Sequence, residues 1–315
     1  MEYVKLGISD LLVSRIAFGC EQLGGVDWGP YDRESVMHAV RRAVDLGINF
    51  FDTADVYALG GSEESLAEAL GGLRRDVIIA TKVGVNWENN QGSRRARTFV
   101  DLRPARVKYA IEESLRRLRI EAIPLYLLHW PDAKTPLEDT LDVIERAQHE
   151  GKVRNVGVSN FSASQIREAN AILRLSAVQM QYNLIDRTPE SEIIPCCKEL
   201  GIGMVVYGPL AQGLLSGKYS ITDCFKTNDR RSRLAHFQGL AFDRHMKLIE
   251  RMKDIAPSDG SRSVAQTALR WLLDKQDISS VITGAKTPRQ IEDNVGSLGW
   301  HLSEREARYL EGREE

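Results

Sequence analysis

Eight short β-patterned segments alternate with longer helix-patterned segments along the whole chain, and this alternation restricts the possible folds most strongly. The predicted strands are RIAFG, NFFDT, DVIIATK, IPLYLLH, VRNVGVS, AVQMQ, GMVVYG and SSVITG. They end near Gly19, Thr53, Lys82, His129, Ser159, Gln181, Gly208 and Gly284. Because a helical segment follows each strand, we expect parallel strand pairing with right-handed crossovers.

The helical segments carry apolar residues on one face and end at recognisable positions. Examples are ESVMHAVRRAVDLG, ARVKYAIEESLRRLRI, PLEDTLDVIERAQHEG and ESEIIPCCKELG. Three of them close with Gly47, Gly151 and Gly201, where a left-handed helix terminus favours glycine. The pattern therefore predicts helices that pack on one side against the predicted sheet.

Eight such units within 315 residues favour a closed barrel over an open sheet. An open dinucleotide-binding sheet usually carries GxGxxG after its first strand, whereas here that strand continues into GCEQLGG. The opening YVKLGISDLLVS is predicted to form a β-hairpin that closes the bottom of the barrel, and the connections from Gly84 to Pro104 and from Gly208 to about Leu240 are long. We predict that residues 1–315 form one α/β domain, a (β/α)8 TIM barrel with an N-terminal β-hairpin and long loops at its C-terminal face.

The composition argues against several kinds of partner. A formal net charge of -2 gives no electrostatic reason to expect nucleic acid or an anionic membrane surface. The N-terminal segment is interrupted by charges and no apolar run is long enough to cross a bilayer, so neither a signal peptide nor a membrane helix is predicted. The cysteines, which are Cys20, Cys196, Cys197 and Cys224, show no CxxC spacing, and Cys196 and Cys197 are interpreted as reduced thiols on a helix. We expect a cytoplasmic protein, and the sequence leaves its oligomeric state open.

Four titratable residues stand at or just after the predicted C-terminal ends of three neighbouring strands, where barrels of this kind carry their catalytic groups. They are Asp52, Tyr57, Lys82 and His129. Each has a plain structural explanation as well, as a turn cap, a cover for apolar surface, a solvated residue and a hydrogen-bonded core histidine. Complementary chemistry at one edge of the barrel favours an active site over four separate structural roles.

The chemistry of these groups indicates proton transfer to a carbonyl. Tyrosine has an ordinary pKa near 10, and a lysine ammonium close by favours the phenolate and lowers that pKa. A carboxylate keeps the ammonium charged and in place, while a histidine can orient a C=O and donate a hydrogen bond to the developing oxyanion. The sequence shows no nucleophile for acyl transfer and no histidine pair with metal-ligand spacing. The missing hydride has to come from a cofactor, and a nicotinamide can supply it.

A series of motifs in one order resembles the aldo-keto reductase superfamily over essentially the whole chain. The motifs are GINFFDTADVY with GGSEESLAEAL, then IIATK, LYLLHWP, GKVRNVGVSNF, VQMQYNLIDR, GPLAQGLLSGKY, SVAQTALRWLL and TGAKTPRQIEDN. The resemblance implies a tetrad of Asp52, Tyr57, Lys82 and His129, with Tyr57 as the general acid in reduction and hydride from NADPH. It leaves open a different function, a regulatory subunit that uses its bound nucleotide as a redox sensor for a partner.

The resemblance also implies a site for NADP(H). Ser159, Asn160 and Gln181 are expected to hydrogen-bond the nicotinamide carboxamide, and Tyr207 is expected to stack on the nicotinamide ring. Lys286 stands just before a helix, where a basic group and free N–H donors favour the adenosine 2′-phosphate. The expected cofactor contacts are Ser159, Asn160, Gln181, Tyr207, Gly208, Leu210, Gln212, Ser216, Lys218, Gly284, Lys286, Gln290 and Asn294.

Within this set, the segment GPLAQGLLSGK is expected to wrap the pyrophosphate through its backbone N–H groups. It is not a P-loop, because the pattern GxxxxGK[ST] fails at Gln212 and Tyr219. Gly208 stands where many relatives carry serine, which puts one hydrogen bond on the phosphate side in doubt.

The substrate contacts are predicted from the loops. Glu21 makes the first loop polar, and Trp28, Trp87 and Trp130 are candidate aromatic walls, with loop packing as the alternative. Three basic residues of the long loop after strand three suit a phosphorylated substrate or an ordinary solvated surface: Arg94, Arg95 and Arg97. The preferred substrate is a small polar carbonyl compound such as a sugar aldehyde or a keto-sugar.

Overall fold

A computed structural model describes residues 1–26, 31–88, 96–220, 225, 229–256 and 261–313. Its strands are β1 (Tyr3–Lys5), β2 (Leu12–Ser14), β3 (Ile16–Gly19), β4 (Phe50–Asp52), β5 (Ile78–Val83), β6 (Val85–Trp87), β7 (Thr98–Val100), β8 (Ile123–Leu128), β9 (Val153–Ser159), β10 (Ala177–Gln181), β11 (Gly203–Tyr207) and β12 (Ile278–Gly284). Eight of them, β3, β4, β5, β8, β9, β10, β11 and β12, form a closed parallel barrel in chain order. The predicted (β/α)8 barrel is confirmed. Each barrel strand overlaps one predicted segment, and β5 and β12 extend one residue beyond theirs, at Val83 and Ile278.

Helices follow the barrel strands and form the outer layer. They are α1 (Arg33–Asp45), α2 (Gly61–Leu70), α3 (Pro104–Leu118), α4 (Leu137–His149), α5 (Ala163–Ile172), α6 (Ile193–Leu200), α7 (Gly239–Ile255), α8 (Val264–Leu273), α9 (Pro288–Val295) and α10 (Glu304–Leu310). Short 3₁₀ helices occupy Glu21–Gly24, Tyr57–Gly60, Gly71–Arg75, Thr188–Glu190, Ala211–Ser216, Arg230–Arg233 and Ala235–Phe237. Capping boxes begin α5, α8 and α10, because a serine side chain accepts from the third helical N–H and receives a bond back.

The predicted helix ends and thiols are found where expected. Gly47, Gly151 and Gly201 have φ angles of 86°, 74° and 69°, in the left-handed region that favours glycine. Cys196 and Cys197 lie buried on α6 as free thiols.

The N-terminal hairpin of β1 and β2 closes the bottom of the barrel, as predicted. Its strands pair antiparallel, and Leu6 between them is fully buried in a cluster that includes Phe50 and Val205 from barrel strands. Gly7 has φ +53°, and a side-chain carbon there would collide with the backbone nitrogen of Gly203. Only glycine lets the hairpin approach the strand ends so closely.

The two long connections lie at the opposite end of the barrel. The connection from β5 to α3 contains the antiparallel pair β6 and β7, and the connection from β11 to α7 begins with the 3₁₀ helix Ala211–Ser216. Trp28, Arg94, Arg95 and Cys224 lie outside the described residues. Within the described ranges, every helix falls short of the length or the apolar character that a membrane span requires.

Candidate active site

A cavity of about 730 Å³ opens at the C-terminal end of the barrel. Side chains from the ends of seven strands line it, in agreement with the general position of active sites in this architecture. Every residue expected to contact the cofactor lies on its wall: Ser159, Asn160, Gln181, Tyr207, Gly208, Leu210, Gln212, Ser216, Lys218, Gly284, Lys286, Gln290 and Asn294. Asp52, Tyr57 and His129 line the same cavity.

A buried ion pair lies beneath the cavity floor. Lys82 on β5 is fully buried, and its Nζ donates to Asp52 Oδ2 at 2.7 Å and to the carbonyl of Thr53 at 2.8 Å. The other carboxylate oxygen of Asp52 accepts from Gln179 Nε2 at 2.7 Å. Because both oxygens and the ammonium are engaged, the pair fixes a positive charge at one position under the cavity.

Tyr57 and His129 stand next to this charge. The Lys82 Nζ lies 5.1 Å from the centre of the Tyr57 ring, and the rings of Tyr57 and His129 meet edge to face with centres 5.8 Å apart. Burial, and then the charge of Lys82, hold the pKa of His129 well below its usual value. The imidazole is therefore neutral at physiological pH. Its Nδ1 is buried without a hydrogen-bond partner in the part of the chain that the structure describes.

The backbone that carries Tyr57 is strained. Tyr57 begins a 3₁₀ turn in which Ala58 and Leu59 have φ angles of 48° and 55°, in the left-handed region that costs non-glycine residues energy. Gly24 packs so closely that an added side-chain carbon would collide with the Ala58 methyl group. Contact with the neighbouring loop therefore restricts the turn to this conformation and holds Tyr57 at the cavity wall.

Another part of the cavity wall, at Asn160 and Tyr207, is held by its own hydrogen-bond network. Asn160 has φ +63°, and its Nδ2 donates to the carbonyl of His129 at 2.9 Å. The Tyr207 hydroxyl donates to Asn160 Oδ1 at 2.8 Å. This network links Tyr207, the expected stacking residue, to the backbone of His129. The amide and the aromatic ring are thus fixed relative to the catalytic candidates.

The far end of the cavity is cationic. Lys218, Arg231 and Lys286 line it together, and Arg231 is paired with Asp229 at 2.8 Å. Burial lowers the pKa of Lys286, and the charges of Arg231 and Lys218 lower it further. Cations that destabilise one another in this way favour an anionic ligand between them.

Two buried polar atoms on the same wall have no partner within the described residues, Gln212 Oε1 and Asn294 Nδ2. They add one acceptor and one donor to the cationic end. A long cavity with amides and an aromatic ring near one end and cations at the other fits a nicotinamide dinucleotide.

The candidate substrate residues are not all brought together. Glu21 and Trp130 line the cavity, whereas Trp87 is not part of its wall within the described residues. The β6–β7 pair turns the Trp87 ring onto the guanidinium of Arg106, 5.2 Å from the ring centre. Arg97 is exposed and lies 3.7 Å from the Glu88 carboxylate, away from the cavity.

Sequence reasoning did not single out several residues of the cavity wall, and two of them, Gln179 and Arg231, bear on its chemistry. Gln179, which binds Asp52, lies on the same face of β10 as Gln181, and the alternation of AVQMQ would have indicated it. Arg231 lies in the long connection after β11, where no periodic pattern singles it out. The described residues also contain no group of three or more His, Cys, Asp or Glu side chains placed to hold a metal ion.

Known proteins resemble the chain in sequence and in fold. The sequence model of the aldo/keto reductase family matches residues 15–315. Aldo-keto reductase YhdN of Bacillus subtilis is 35% identical over 305 residues, covering 96% of this chain and 90% of that protein. The NADH-specific methylglyoxal reductase of Escherichia coli is 33% identical over 321 residues, covering 98% and 96%. The structure of the glycerol dehydrogenase AKR11B4 from Gluconobacter oxydans matches with a TM-score of 0.90 at 34% identity, covering 98% of this chain and 94% of that one.

Proposed function

The chain belongs to the aldo/keto reductase family, and we propose that it reduces an aldehyde or a ketone to the alcohol with NADP(H), with Tyr57 as the general acid. The family consists of oxidoreductases that act on carbonyl and alcohol groups with a nicotinamide cofactor. The observation that carries the proposal is the position of Tyr57. Its ring lies on the cavity wall next to both His129 and the buried ammonium of Lys82.

Tyr57 would donate the proton that the reduced carbonyl oxygen receives. The ammonium of Lys82 stabilises the phenolate that remains, since an opposite charge a few ångströms away favours the charged form. Asp52 keeps that ammonium in place. The cost of burying the Lys82–Asp52 pair is offset by the hydrogen bonds of Thr53 and Gln179.

His129 would orient the substrate. A neutral imidazole beside the phenol can donate a hydrogen bond to the carbonyl oxygen without competing as an acid, which matches the lowered pKa of His129. The contact of Asn160 with the His129 carbonyl holds that segment of backbone in place.

NADP(H) would supply the hydride. Ser159, Asn160 and Gln181 offer hydroxyl and amide groups for the carboxamide, and Tyr207 offers an aromatic face for the ring. Gln179 also lies at this end and is a further candidate for the carboxamide. These side chains would set which face of the ring meets the substrate.

A preference for NADPH over NADH is proposed from the cationic end of the cavity. Lys286, Arg231 and Lys218 together suit a ligand with an additional phosphate. A relative with 33% identity is named as NADH-specific, so the family alone does not decide between the two cofactors. The three cations support the phosphorylated one.

A small polar substrate is proposed, such as a sugar aldehyde or a keto-sugar. Glu21 makes the cavity mouth polar, and Trp130, which is 44% exposed, offers an aromatic surface there. The relatives' names, methylglyoxal reductase and glycerol dehydrogenase, refer to small polar compounds. A screen of NADPH oxidation with simple aldehydes, aldoses, keto-sugars and pyridoxal would rank these classes.

The test of the proposal is Tyr57→Phe. We expect kcat for carbonyl reduction to fall by roughly a hundred- to ten-thousandfold, the usual contribution of a general acid, with cofactor affinity unchanged. Tyr3→Phe is the matched control, because Tyr3 is 46% exposed on β1 at the bottom of the barrel. An unimpaired Tyr57→Phe enzyme would exclude the proposed role. A single slow oxidation of bound NADPH by the unmodified protein, without turnover, would favour the redox-sensing subunit instead.

A further inference from the structure

A buried ion pair outside the cavity joins the Tyr57 loop to helix α3. Asp55 stands two residues before Tyr57 and is fully buried, and its Oδ2 accepts from Arg106 Nη2 at 2.6 Å. The Arg106 side chain is only 8% exposed. Neither residue lines the cavity, and the reaction proposed above uses neither of them.

The loop that carries Asp55 is tied down on two sides. The Asp55 N–H donates to the carbonyl of Lys82 at 3.2 Å, and Lys82 Nζ donates to the carbonyl of Thr53. On the other side, Arg106 holds the Asp55 carboxylate against α3. The Tyr57 N–H donates to the carbonyl of Ala54, so the phenol is carried by a turn whose position depends on both attachments.

Arg106 connects this loop to a third segment. Its guanidinium lies 5.2 Å from the centre of the Trp87 ring on β6 and 5.8 Å from that of Tyr109 on α3. Stacking of a guanidinium on a tryptophan is a favourable contact, and it fixes the orientation in which Arg106 meets Asp55. The long connection after β5 thereby takes part in holding the Tyr57 loop.

A second ion pair on α3 provides an internal comparison. Arg117 lies on the same face of α3 as Arg106, and its Nε donates to the fully buried Glu63 at 2.6 Å. Thr81 Oγ1 donates to the other oxygen of Glu63 at 2.6 Å. The two pairs have the same chemistry and similar burial. The Glu63 pair joins α2 to α3, however, whereas the Asp55 pair attaches the loop that carries Tyr57, the proposed general acid, to α3.

We propose that Asp55 and Arg106 are positioning residues for Tyr57. Because Trp87 packs on Arg106, the β6–β7 pair also contributes to holding the Tyr57 loop in place. The inference rests on the proposed function, because it takes Tyr57 as the proton donor. Removing the Asp55 charge leaves Arg106 without its partner and frees the loop on the α3 side. A misplaced phenol then lowers the rate of proton transfer while the cofactor wall stays intact.

The ion pair of Asp55 with Arg106 also depends on pH. The pKa of Asp55 is raised to about 7, chiefly by burial and also by Glu63 on α2, against the lowering effects of Arg106 and Arg117 on α3. Tyr126 on β8 faces the same group, and burial, followed by the carboxylates of Asp55 and Glu63, raises the pKa of its hydroxyl. Protonation of Asp55 therefore weakens its pairing with Arg106 near neutral pH.

The test is Asp55→Asn, which keeps the shape of the side chain and removes its charge. We expect kcat to fall by roughly ten- to a hundredfold, as for a small misplacement of a catalytic group. The affinity for NADPH, measured by quenching of protein fluorescence, should stay within about twofold. Glu63→Gln is the matched control. Because the Glu63 charge also raises the pKa of Asp55, kcat is compared well above that pKa, where Asp55 is ionised in both proteins, and there it should stay within about twofold although the variant destabilises the fold. Unchanged kcat in Asp55→Asn, or an equal loss in Glu63→Gln, would overturn the inference.

The pH profile separates positioning from general destabilisation. In the unmodified enzyme kcat should decline below about pH 7 as Asp55 takes up a proton, and in Asp55→Asn this limb should be absent. A low-pH limb that persists in Asp55→Asn would contradict the proposal. If Asp55→Asn does not fold, Arg106→Lys and Trp87→Leu replace it. The first keeps the charge, the second alters a half-buried ring, and each should lower kcat with unchanged NADPH affinity.

The outcome also distinguishes this inference from the proposed function. If Tyr57→Phe retains its activity, the general-acid assignment fails, and the positioning role fails with it. If Tyr57→Phe is inactive while Asp55→Asn, Arg106→Lys and Trp87→Leu all retain normal kcat, only the positioning role is wrong.

Discussion

The two ends of the barrel are built on different principles. The bottom is closed by an apolar hairpin, in which Leu6 and Val13 are fully buried against the strand interior. The top is open and polar, and of the described non-glycine residues with positive φ it contains all but Arg119: Ala58, Leu59, Asn160, Ala211 and Gln212. Apolar packing therefore closes the bottom, whereas the groups proposed for catalysis are held at the top in conformations that cost energy.

The difference indicates that residues that stabilise the fold and residues proposed for the reaction lie in different parts of the barrel. Strained turns and buried charges at the top are tolerated because the closed barrel supplies the stability that they consume. Changes at the bottom should alter the free energy of unfolding and leave the reaction alone. Changes at the top should alter the reaction, and some of them should stabilise the protein.

The largest expected effect on the free energy of unfolding comes from a substitution in the bottom hairpin. Leu6→Ala removes a fully buried side chain from the apolar cluster and should lower the free energy of unfolding by about 2–5 kcal/mol. Leu12→Ala on the same hairpin, where Leu12 is 56% exposed, should change it by no more than about 0.5 kcal/mol. Denaturant unfolding measures both values. A marked loss of kcat in the folded fraction of Leu6→Ala would show that the two ends are coupled.

The next largest expected effect is a dependence of the free energy of unfolding on pH, caused by Asp55 at the top of the barrel. Folding raises the pKa of Asp55 from an ordinary value of 3.8 to about 7, so between these values the native state holds a proton that the unfolded state does not. The contribution of Asp55 to the free energy of unfolding should therefore fall as pH rises from about 4 to about 7, by at most about 4 kcal/mol.

Thermal unfolding across this pH range would test the effect. Asp55→Asn should lack the slope, and Asp10→Asn, which alters an exposed aspartate, should keep it. A slope that is equal in the unmodified protein and in Asp55→Asn would assign the proton to another group.

A smaller effect is expected on cofactor preference. Among the described residues, Lys218, Arg231 and Lys286 are the cations at the far end of the cavity. Lys286→Ala removes one of them and should lower kcat/KM with NADPH by about tenfold, or about 1.4 kcal/mol, with little change for NADH. Lys253→Ala alters an exposed lysine on α7 and serves as the control. An equal ratio of the two efficiencies in Lys286→Ala and in the unmodified enzyme would remove Lys286 from the phosphate site.

The smallest effect comes from relieving strain at each end. Ala58→Gly and Arg119→Gly each remove a side chain from a left-handed position and should raise the free energy of unfolding by about 1 kcal/mol. Arg119 follows α3 at the bottom and is exposed, so its replacement should leave kcat unchanged. Ala58 follows Tyr57, and its replacement should lower kcat because the turn loosens. Equal kcat in both variants would show that the strain at Ala58 has no role in presenting the phenol.

Much of the site could be predicted because a barrel converts sequence position into spatial position. Asp52, Lys82 and His129 are far apart along the chain, but each stands at a strand end, and closure of the barrel brings those ends around one cavity. Trp87 shows where this reasoning stops. The loop after β5 decides which way the ring turns, and it turns toward Arg106 rather than into the cavity.

The sequence by itself determined the eight strands, the hairpin and the positions of the catalytic candidates, because hydrophobic periodicity and strand ends are local properties of the chain. Only the tertiary structure decided that Gln179 binds Asp52, that Arg231 joins Lys286, and that Asp55 pairs with Arg106 behind Tyr57. These contacts join residues that are far apart in sequence or lie in irregular loops. Their partners are set by three-dimensional packing, which no periodic pattern encodes.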